Sequence, residues 1–358
     1  MQHRKPRWLL LAAVLMPVVL LSCSDDGGSS IFDVGPATDG GADQSPPLPD
    51  GSPALGCQCN PDEVCNSQGQ CIKEPTPKPG EIVGELVLLR QVVPGGTSVI
   101  DLLGKAEADF RDQEPLPADP RKAYPTPDGS MCWYEMGTIW PHTLTGGAYW
   151  PTGPGRGAGK LTFRAGAGPI ELDVLDMGQA PNHDFAYFHD QVPPPLKDGA
   201  ATYSDFFDVK HIPFGTKFSV EAAGGPSIAK QVFQGGETAK EFTITKPGVE
   251  QADASAPSQQ PLTVEWSPAQ PDAMMEIFLT QSFGMGDIAL LTCMGEDDGS
   301  LTIPAAALQN LAPMSTGVQL RRSVKRYQQL SVAQGKILHL YLIGRHARVA
   351  KYKVDLQP

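Results

Sequence analysis

The chain has 358 residues, 28 of them basic and 40 acidic, which gives a formal net charge of −12 and an isoelectric point near 5.0. Its 38 glycines and 35 prolines make up about a fifth of the chain, below the roughly 25–30% of wholly low-complexity chains. An apolar content of 41% can fill a hydrophobic core, so we expect most of the chain to fold. The negative charge argues against nucleic acid as a partner, because nucleic-acid binding needs a clustered basic face.

The amino terminus has the pattern of a signal peptide. Three basic side chains precede an uncharged apolar run over residues 8–21. This run is shorter than the ~20 residues that span a bilayer comfortably, and Pro17 interrupts it. We therefore predict a signal peptide over residues 1–22 rather than a retained transmembrane helix.

The four residues that end this run are Leu20, Leu21, Ser22 and Cys23, and they resemble the lipobox of bacterial lipoproteins. The resemblance implies cleavage before Cys23, a diacylglyceryl group on its sulfur and acylation of the new amino terminus. Three acyl chains hold a protein on a bilayer, whereas one is marginal at ~0.8 kcal/mol per buried CH₂. A serine rather than an aspartate after the lipidated cysteine implies the outer membrane, so we expect an exported lipoprotein there, periplasmic or surface-exposed.

The segment after the lipidation site has the composition of a tether. Residues 24–56 hold 7 Gly, 5 Pro, 5 Ser and 6 Asp, with no lysine or arginine. Such a segment buries too little apolar surface to offset its chain entropy, so we predict a lipidated, disordered linker over residues 23–56. Its reach, at about 5–6 Å times the square root of its length, holds the folded part roughly 30 Å from the lipid.

Four cysteines form a dense cluster over residues 57–72. In an exported chain this small module is expected to contain two disulfides, with all three connectivities open, and it resembles half of an EGF-like domain. A zinc site is the alternative, although the spacing is unusual for a zinc finger. A Pro-rich linker, residues 73–80, follows. The cysteines are Cys57, Cys59, Cys65 and Cys71.

Two cysteines remain, Cys132 and Cys293. Because the other five are assigned to lipid or to the module, we predict that these two form a long-range disulfide. The alternative is a pair of buried free thiols.

From residue 81 onward, short runs with alternating apolar and polar residues recur between Gly, Pro and Asp. This pattern predicts an all-β fold with one or two β-sandwich domains of immunoglobulin-like type. A short helix is predicted at residues 304–311, where Pro304 suits a helix start. The predicted strands cover residues 81–89, 160–165, 170–177, 217–223, 241–245, 262–266, 275–280, 288–293, 318–324 and 337–343.

A linker-like stretch at residues 248–261 divides the body into a β-rich domain, 81–250, and a β-sandwich domain, 262–358. The stretches LTVEWSP, 262–268, and LLTCMGEDDGSLTIPAAAL, 290–308, resemble a carboxy-terminal domain of exported lipoproteins from large-genome Gram-negative bacteria. The resemblance continues upstream into residues 215–233, so the folded body can be one domain or two, and both alternatives stay open. It implies an architecture and no activity.

The chain has no nucleotide-binding, zinc-protease or serine-hydrolase motif. Its densest polar group surrounds His183 and His189, whose even spacing puts both on one face of a strand. Imidazole and carboxylate ligands suit Zn²⁺ or Fe²⁺, which makes a metal-dependent hydrolase one functional alternative. The candidate ligands are His183, His189, Asp190, Asp208 and His211.

A second acidic group, Glu296, Asp297 and Asp298, lies in GEDDGS. We predict a tight turn between two strands there, with calcium binding as the alternative. No cofactor is therefore expected, with Ca²⁺ and Zn²⁺ as the alternatives.

Aromatic residues concentrate between positions 133 and 150. Exposed rings can stack on sugars, so a carbohydrate-binding module is a further alternative, whereas the simpler interpretation puts these rings in the core. The ligand-binding candidates are Trp133, Tyr134, Trp140 and Trp150.

Taken together, these features favour a non-catalytic outer-membrane lipoprotein that acts in binding, adhesion or envelope structure. Its expected partners are the membrane, through the lipid, and a polysaccharide or another envelope protein. The carbohydrate-binding module and the metal-dependent hydrolase stay open as alternatives.

Overall fold

Strands make up most of the part of the chain that the structure describes, which confirms the all-β prediction. All of this part belongs to one compact unit, Pro53–Pro358. Its single described α-helix, α1 (Ala305–Leu308), follows Pro304 as predicted, and no described helix is long and apolar enough to cross a membrane. The signal peptide, Cys23 and the tether lie outside the described residues. A computed structural model describes residues 59, 63–66, 69–95, 98–114, 121–138, 154–176, 185–189, 209–283 and 287–358.

The main sheet is a path of eight strands. Most neighbours are antiparallel, but its second and third strands are parallel. The order across it is β4 (Ser98–Asp112), β3 (Ile82–Gly95), β19 (Ile337–Val349), β18 (Ser315–Ser331), β15 (Met274–Ser282), β16 (Asp287–Glu296), β6 (Met131–Thr138) and β5 (Lys122–Pro125).

Two smaller sheets cover one face of the main sheet, which we call the inner face. A five-stranded sheet packs over β3 and β19, and a three-stranded sheet packs over β15 and β16. The five-stranded sheet has the order β11 (Gln231–Glu237), β10 (Lys217–Ala222), β7 (Leu161–Gly166), β8 (Gly168–Asp176) and β9 (Phe185–His189). The three-stranded sheet has the order β12 (Thr243–Lys246), β14 (Leu262–Ser267) and β17 (Ser300–Ile303).

Period-2 alternation explains how two cores form on one face. On β15 the odd-numbered residues Met275, Ile277 and Leu279 turn inward and pack with Val264 of β14. On β19 the even-numbered leucines turn inward in the same way and pack against the five-stranded sheet. The even residues of β15 and the odd residues of β19 lie on the opposite face, which we call the outer face.

The remaining strands attach at the edges of these sheets. They are β1 (Glu63–Asn66), β2 (Cys71–Lys73), β13 (Ala254–Pro257) and β20 (Val354–Gln357). The β1–β2 hairpin joins β18 through a parallel pairing of β1, and β20 pairs with both β13 and β18. Short 3₁₀ helices cover Val209–His211 and Ala333–Gly335.

The two segments on either side of residues 248–261 share the main sheet. β3 pairs with β19 in continuous register from Ile82↔Leu338 to Val92↔Arg348. The sheet therefore takes its centre from both ends of the body. The immunoglobulin-like form of the layers stays a prediction.

Candidate functional site

The cysteine module is a hairpin closed by disulfides. Cys59 is bonded to Cys71, with Cα atoms 5.3 Å apart, and Cys65 is disulfide-bonded as well. Cys57 lies outside the described residues. The Cys59–Cys71 bond selects one of the three open connectivities. Because Cys59, Cys65 and Cys71 are all disulfide-bonded, none of them is a thiolate that could bind zinc, and the zinc alternative is wrong for these three residues.

The predicted bond between Cys132 and Cys293 is present. The two residues face each other on β6 and β16, and neither has measurable solvent exposure. They lie within the core between the main sheet and the three-stranded sheet. The alternative of two free thiols is therefore wrong.

The aromatic candidates do not share one face. Trp133 and Tyr134 are consecutive on β6, so their side chains point to opposite sides of the main sheet. Trp133 is half-buried on the outer face, where the guanidinium of Arg121 lies 5.1 Å from the centre of its ring. Tyr134 packs against the core, and burial raises its pKa. Trp140 and Trp150 lie outside the described residues.

The metal candidates are only partly described. His189 ends β9 opposite Leu172, whereas His211 ends a 3₁₀ helix that lies against Gly168. These two contacts are four positions apart along β8, about 13 Å at the rise of a strand. Within the described ranges, no three His, Cys, Asp or Glu side chains come together as a metal site. His183, Asp190 and Asp208 lie outside them.

The turn predicted at residues 295–300 is present, with Gly299 at φ +102°, but the two strands it joins do not pair with each other. β16 belongs to the main sheet and β17 to the three-stranded sheet, so the turn crosses between layers. The central carboxylate, Asp297, points into the protein and is completely buried. It is therefore engaged by protein donors rather than facing solvent as a calcium ligand, and only Glu296 and Asp298 are exposed.

Asp297 and Arg322 form a buried ion pair that joins the main sheet to the three-stranded sheet. Arg322, on the inner face of β18, donates through Nε and Nη2 to both carboxylate oxygens. The Nε1 of Trp266 on β14 donates to Oδ1 at 2.5 Å. Burial raises the pKa of Asp297 even with Arg322 beside it. The other bonds of the guanidinium are donated to the backbone carbonyls of Lys240, Glu241 and Pro268.

A buried histidine lies next to this ion pair. His346 is opposite Arg322 in the β18–β19 register, and its ring lies 4.8 Å from the rings of both Phe214 and Phe242. Its Nδ1 contacts the carbonyl oxygen of Lys240 at 3.3 Å, while Nε2 has no partner. Burial lowers the pKa of His346 to about 3. The ring is therefore neutral at physiological pH.

The outer face carries a second group of titratable side chains where the cysteine hairpin packs. His339 bridges two partners, since its Nδ1 lies 2.8 Å from the hydroxyl of Tyr327 and its Nε2 lies 2.9 Å from Oε2 of Glu81. A backbone N–H from Lys78, together with His339, keeps the pKa of Glu81 below its usual value. Burial raises the pKa of Tyr327 to about 12. His339 and Tyr327 are only 5% and 3% exposed, and the contact between His339 and Glu81 holds the end of the linker to the sheet.

Farther along the outer face, acids and bases alternate between strands. Arg321 donates two hydrogen bonds to Glu276 on the neighbouring strand, at 2.6 and 2.9 Å. Although burial opposes ionisation, Arg321 keeps the pKa of Glu276 below its usual value. Glu85 on β3 lies opposite another carboxylate, Asp109 on β4. Burial raises the pKa of Glu85 to about 7, and the nearby Arg345 only partly offsets the rise.

Among these buried charged residues, Asp297 alone is a candidate from the sequence, where it is an alternative calcium ligand and not the partner of a buried arginine. The available signal is the doublet Arg321–Arg322 in the middle of an alternating strand, which puts one charged side chain on each face. Comparison with protein-family models, with curated proteins and with solved structures finds no match.

Proposed function

We propose that this protein is an exported, lipid-anchored lipoprotein of the outer membrane whose β body serves in binding, adhesion or envelope structure, without catalysis. The observation that carries the proposal is the oxidised state of every described cysteine. Disulfides persist in secreted and envelope proteins and are rare in the cytosol. That compartment agrees with the signal peptide and the lipobox predicted from the sequence.

The use of the buried charges also supports a structural role. Arg322 joins the main sheet to the three-stranded sheet, and Arg321 joins β18 to β15. His339 joins the linker to the sheet. Each of these three side chains hydrogen-bonds to another structural element. Such contacts suit a rigid body held at the end of a tether. The carbohydrate-binding and hydrolase alternatives stay predictions, since two of the four aromatic candidates and three of the five metal candidates lie outside the described part of the chain.

Lipidation of Cys23 is the part of this proposal that can be tested most directly. The wild-type chain, expressed with its own signal in a Gram-negative host, should incorporate labelled fatty acid and sediment with the outer membrane. The Cys23→Ala variant should lose the label. A matched variant, Cys57→Ala, should keep it, because Cys57 is outside the lipobox. Fatty-acid label that persists in Cys23→Ala would refute the anchor.

The choice of membrane has its own test. Ser24→Asp should keep the fatty-acid label but move the protein toward the inner-membrane fraction. An unchanged distribution between the two membranes would contradict the outer-membrane assignment and leave lipidation untouched.

A further inference from the structure

The hairpin and the linker after it form a strap across the outer face. We define the strap as Cys59 together with residues 63–66 and 69–80. Its contact with the sheet edge is short, since only Cys65 and Asn66 of β1 are in register with β18. Such a short parallel pairing cannot be stable by itself, so other contacts must hold the strap.

Side chains at both ends of the linker supply those contacts. Glu74 accepts a hydrogen bond at 2.5 Å from Nζ of Lys325, and Glu81, just beyond the strap, contacts His339 at 2.9 Å. The side chains of Lys325 and His339 both lie on the outer face. The hairpin also adds Val64 and Ile72 to an apolar cluster of the sheet, which consists of Val83, Val87, Tyr327, Tyr341 and Ile343.

The two described disulfides differ in their access to solvent. Cys59 and Cys71 are half-buried at the surface of the strap. Cys132 and Cys293 are 0% exposed inside a packed core. Thiol–disulfide exchange requires the attacking thiolate to reach a sulfur atom, so access controls which bond reacts first.

We propose that the strap is a redox-sensitive cover, which a dithiol reductant opens by reducing Cys59–Cys71 while Cys132–Cys293 stays oxidised. A thiolate of the reductant attacks one sulfur of the bond and forms a mixed disulfide. Its second thiol then displaces that cysteine, so the reductant becomes a cyclic disulfide. The two electrons and two protons pass to Cys59 and Cys71, which become free thiols.

Reduction removes the crosslink between the start and the end of the hairpin, which is too small to have a core of its own. The bond of Cys65, a residue that is only 3% exposed, stays in place. The strap then separates from β18, and the rest of the sheet keeps its structure. Opening exposes the apolar cluster around Tyr327 and Tyr341 together with the β18 edge at Arg326 and Tyr327. A surface that is covered in the oxidised protein thereby becomes accessible.

Timed reduction of the full-length protein with dithiothreitol tests this. Thiols freed at each time point are alkylated, and mass spectrometry measures the label on each cysteine. Cys59 and Cys71 should be labelled at least about tenfold faster than Cys132 and Cys293. Hydrogen exchange on the same samples should show lost protection at residues 63–66 and 326–327, with residues 277–279 still protected. Equal labelling of all four cysteines, or strap amides that stay protected after reduction, would overturn the proposal.

Two variants separate the strap contacts from general stability. Lys325→Gln removes the partner of Glu74 and should accelerate the labelling of Cys59 and Cys71. Lys246→Gln removes a comparable ion pair, with Glu265 at 2.9 Å, on the three-stranded sheet and should leave the labelling rate unchanged. Equal rates in both variants would show that the linker contacts do not hold the strap.

Discussion

Cys132 lies directly opposite Cys293 across the β6–β16 strand pair, and a disulfide joins them although 161 residues separate them in the chain. β6 touches the main sheet only through β16 on one side, and short β5 lies on its other side. The bond therefore fastens the edge of the main sheet to its interior.

Removal of this bond should cost more stability than removal of the bond in the strap. On the chain-entropy model, Cys132→Ala with Cys293→Ala loses about 5 kcal/mol, and Cys59→Ser with Cys71→Ser loses about 3 kcal/mol because it closes a shorter loop. Denaturant unfolding without reductant measures both. A larger loss in the strap variant would contradict the assignment of the core bond as the main crosslink.

His346 predicts an acid-dependent loss of stability. Its folded pKa of about 3 lies below the ordinary value of 6.5, so its contribution is present above pH 6.5 and is lost as the pH falls toward 3. Between pH 7 and pH 5 this group should remove about 2 kcal/mol from the free energy of unfolding. His346→Phe, which replaces the imidazole next to Phe214 and Phe242 by a ring that does not titrate, should lack that part of the slope. If the free energy of unfolding depends on pH in the same way for wild type and His346→Phe, then His346 is not responsible for the loss of stability in acid.

Glu85 predicts the opposite dependence. Its folded pKa of about 7 lies above the ordinary value of 4.5, so its contribution is present below pH 4.5 and is lost as the pH rises through 7. Glu85→Gln should match wild type at pH 4 and be more stable by up to about 3 kcal/mol at pH 8. Glu107→Gln, a half-buried carboxylate on the neighbouring strand, is the control and should show no such gain. Thermal or denaturant unfolding at both pH values decides between these outcomes.

Arg322 should be costly to remove because Asp297 would stay behind as an uncompensated buried acid. Arg322→Met is expected to lose about 3–5 kcal/mol, and addition of Asp297→Asn should recover part of that loss. Arg164→Met removes a side chain that is 59% exposed, so it should change stability by less than about 0.5 kcal/mol. If the double variant is no more stable than Arg322→Met, the ion pair is not what joins the layers.

The alternation of apolar and polar residues made much of the fold predictable, but the buried contacts between charged side chains could not be predicted from it. The stretch MEIFLT reads as a strand because Ile277 and Leu279 alternate with their neighbours, and the structure puts it in β15. β4 escapes prediction because most of its large apolar residues lie in its first half, at 99–103, whereas in its second half charged residues alternate with the small side chains of Ala106 and Ala108. Arg322 finds its partners at positions 240, 268 and 297. Sequence spacing cannot show that such distant segments meet at one guanidinium.

The parallel pairing of β3 with β19 also governs the order in which the chain can fold. Residues 82–95 are synthesised more than 200 residues before their neighbour at 337–349. Until then the β3–β4 hairpin has one edge without its native partner, and such edges promote aggregation. A truncation that removes only residues 337–358 would delete a central strand of the sheet and leave two open edges, so the body cannot close until β19 is in place.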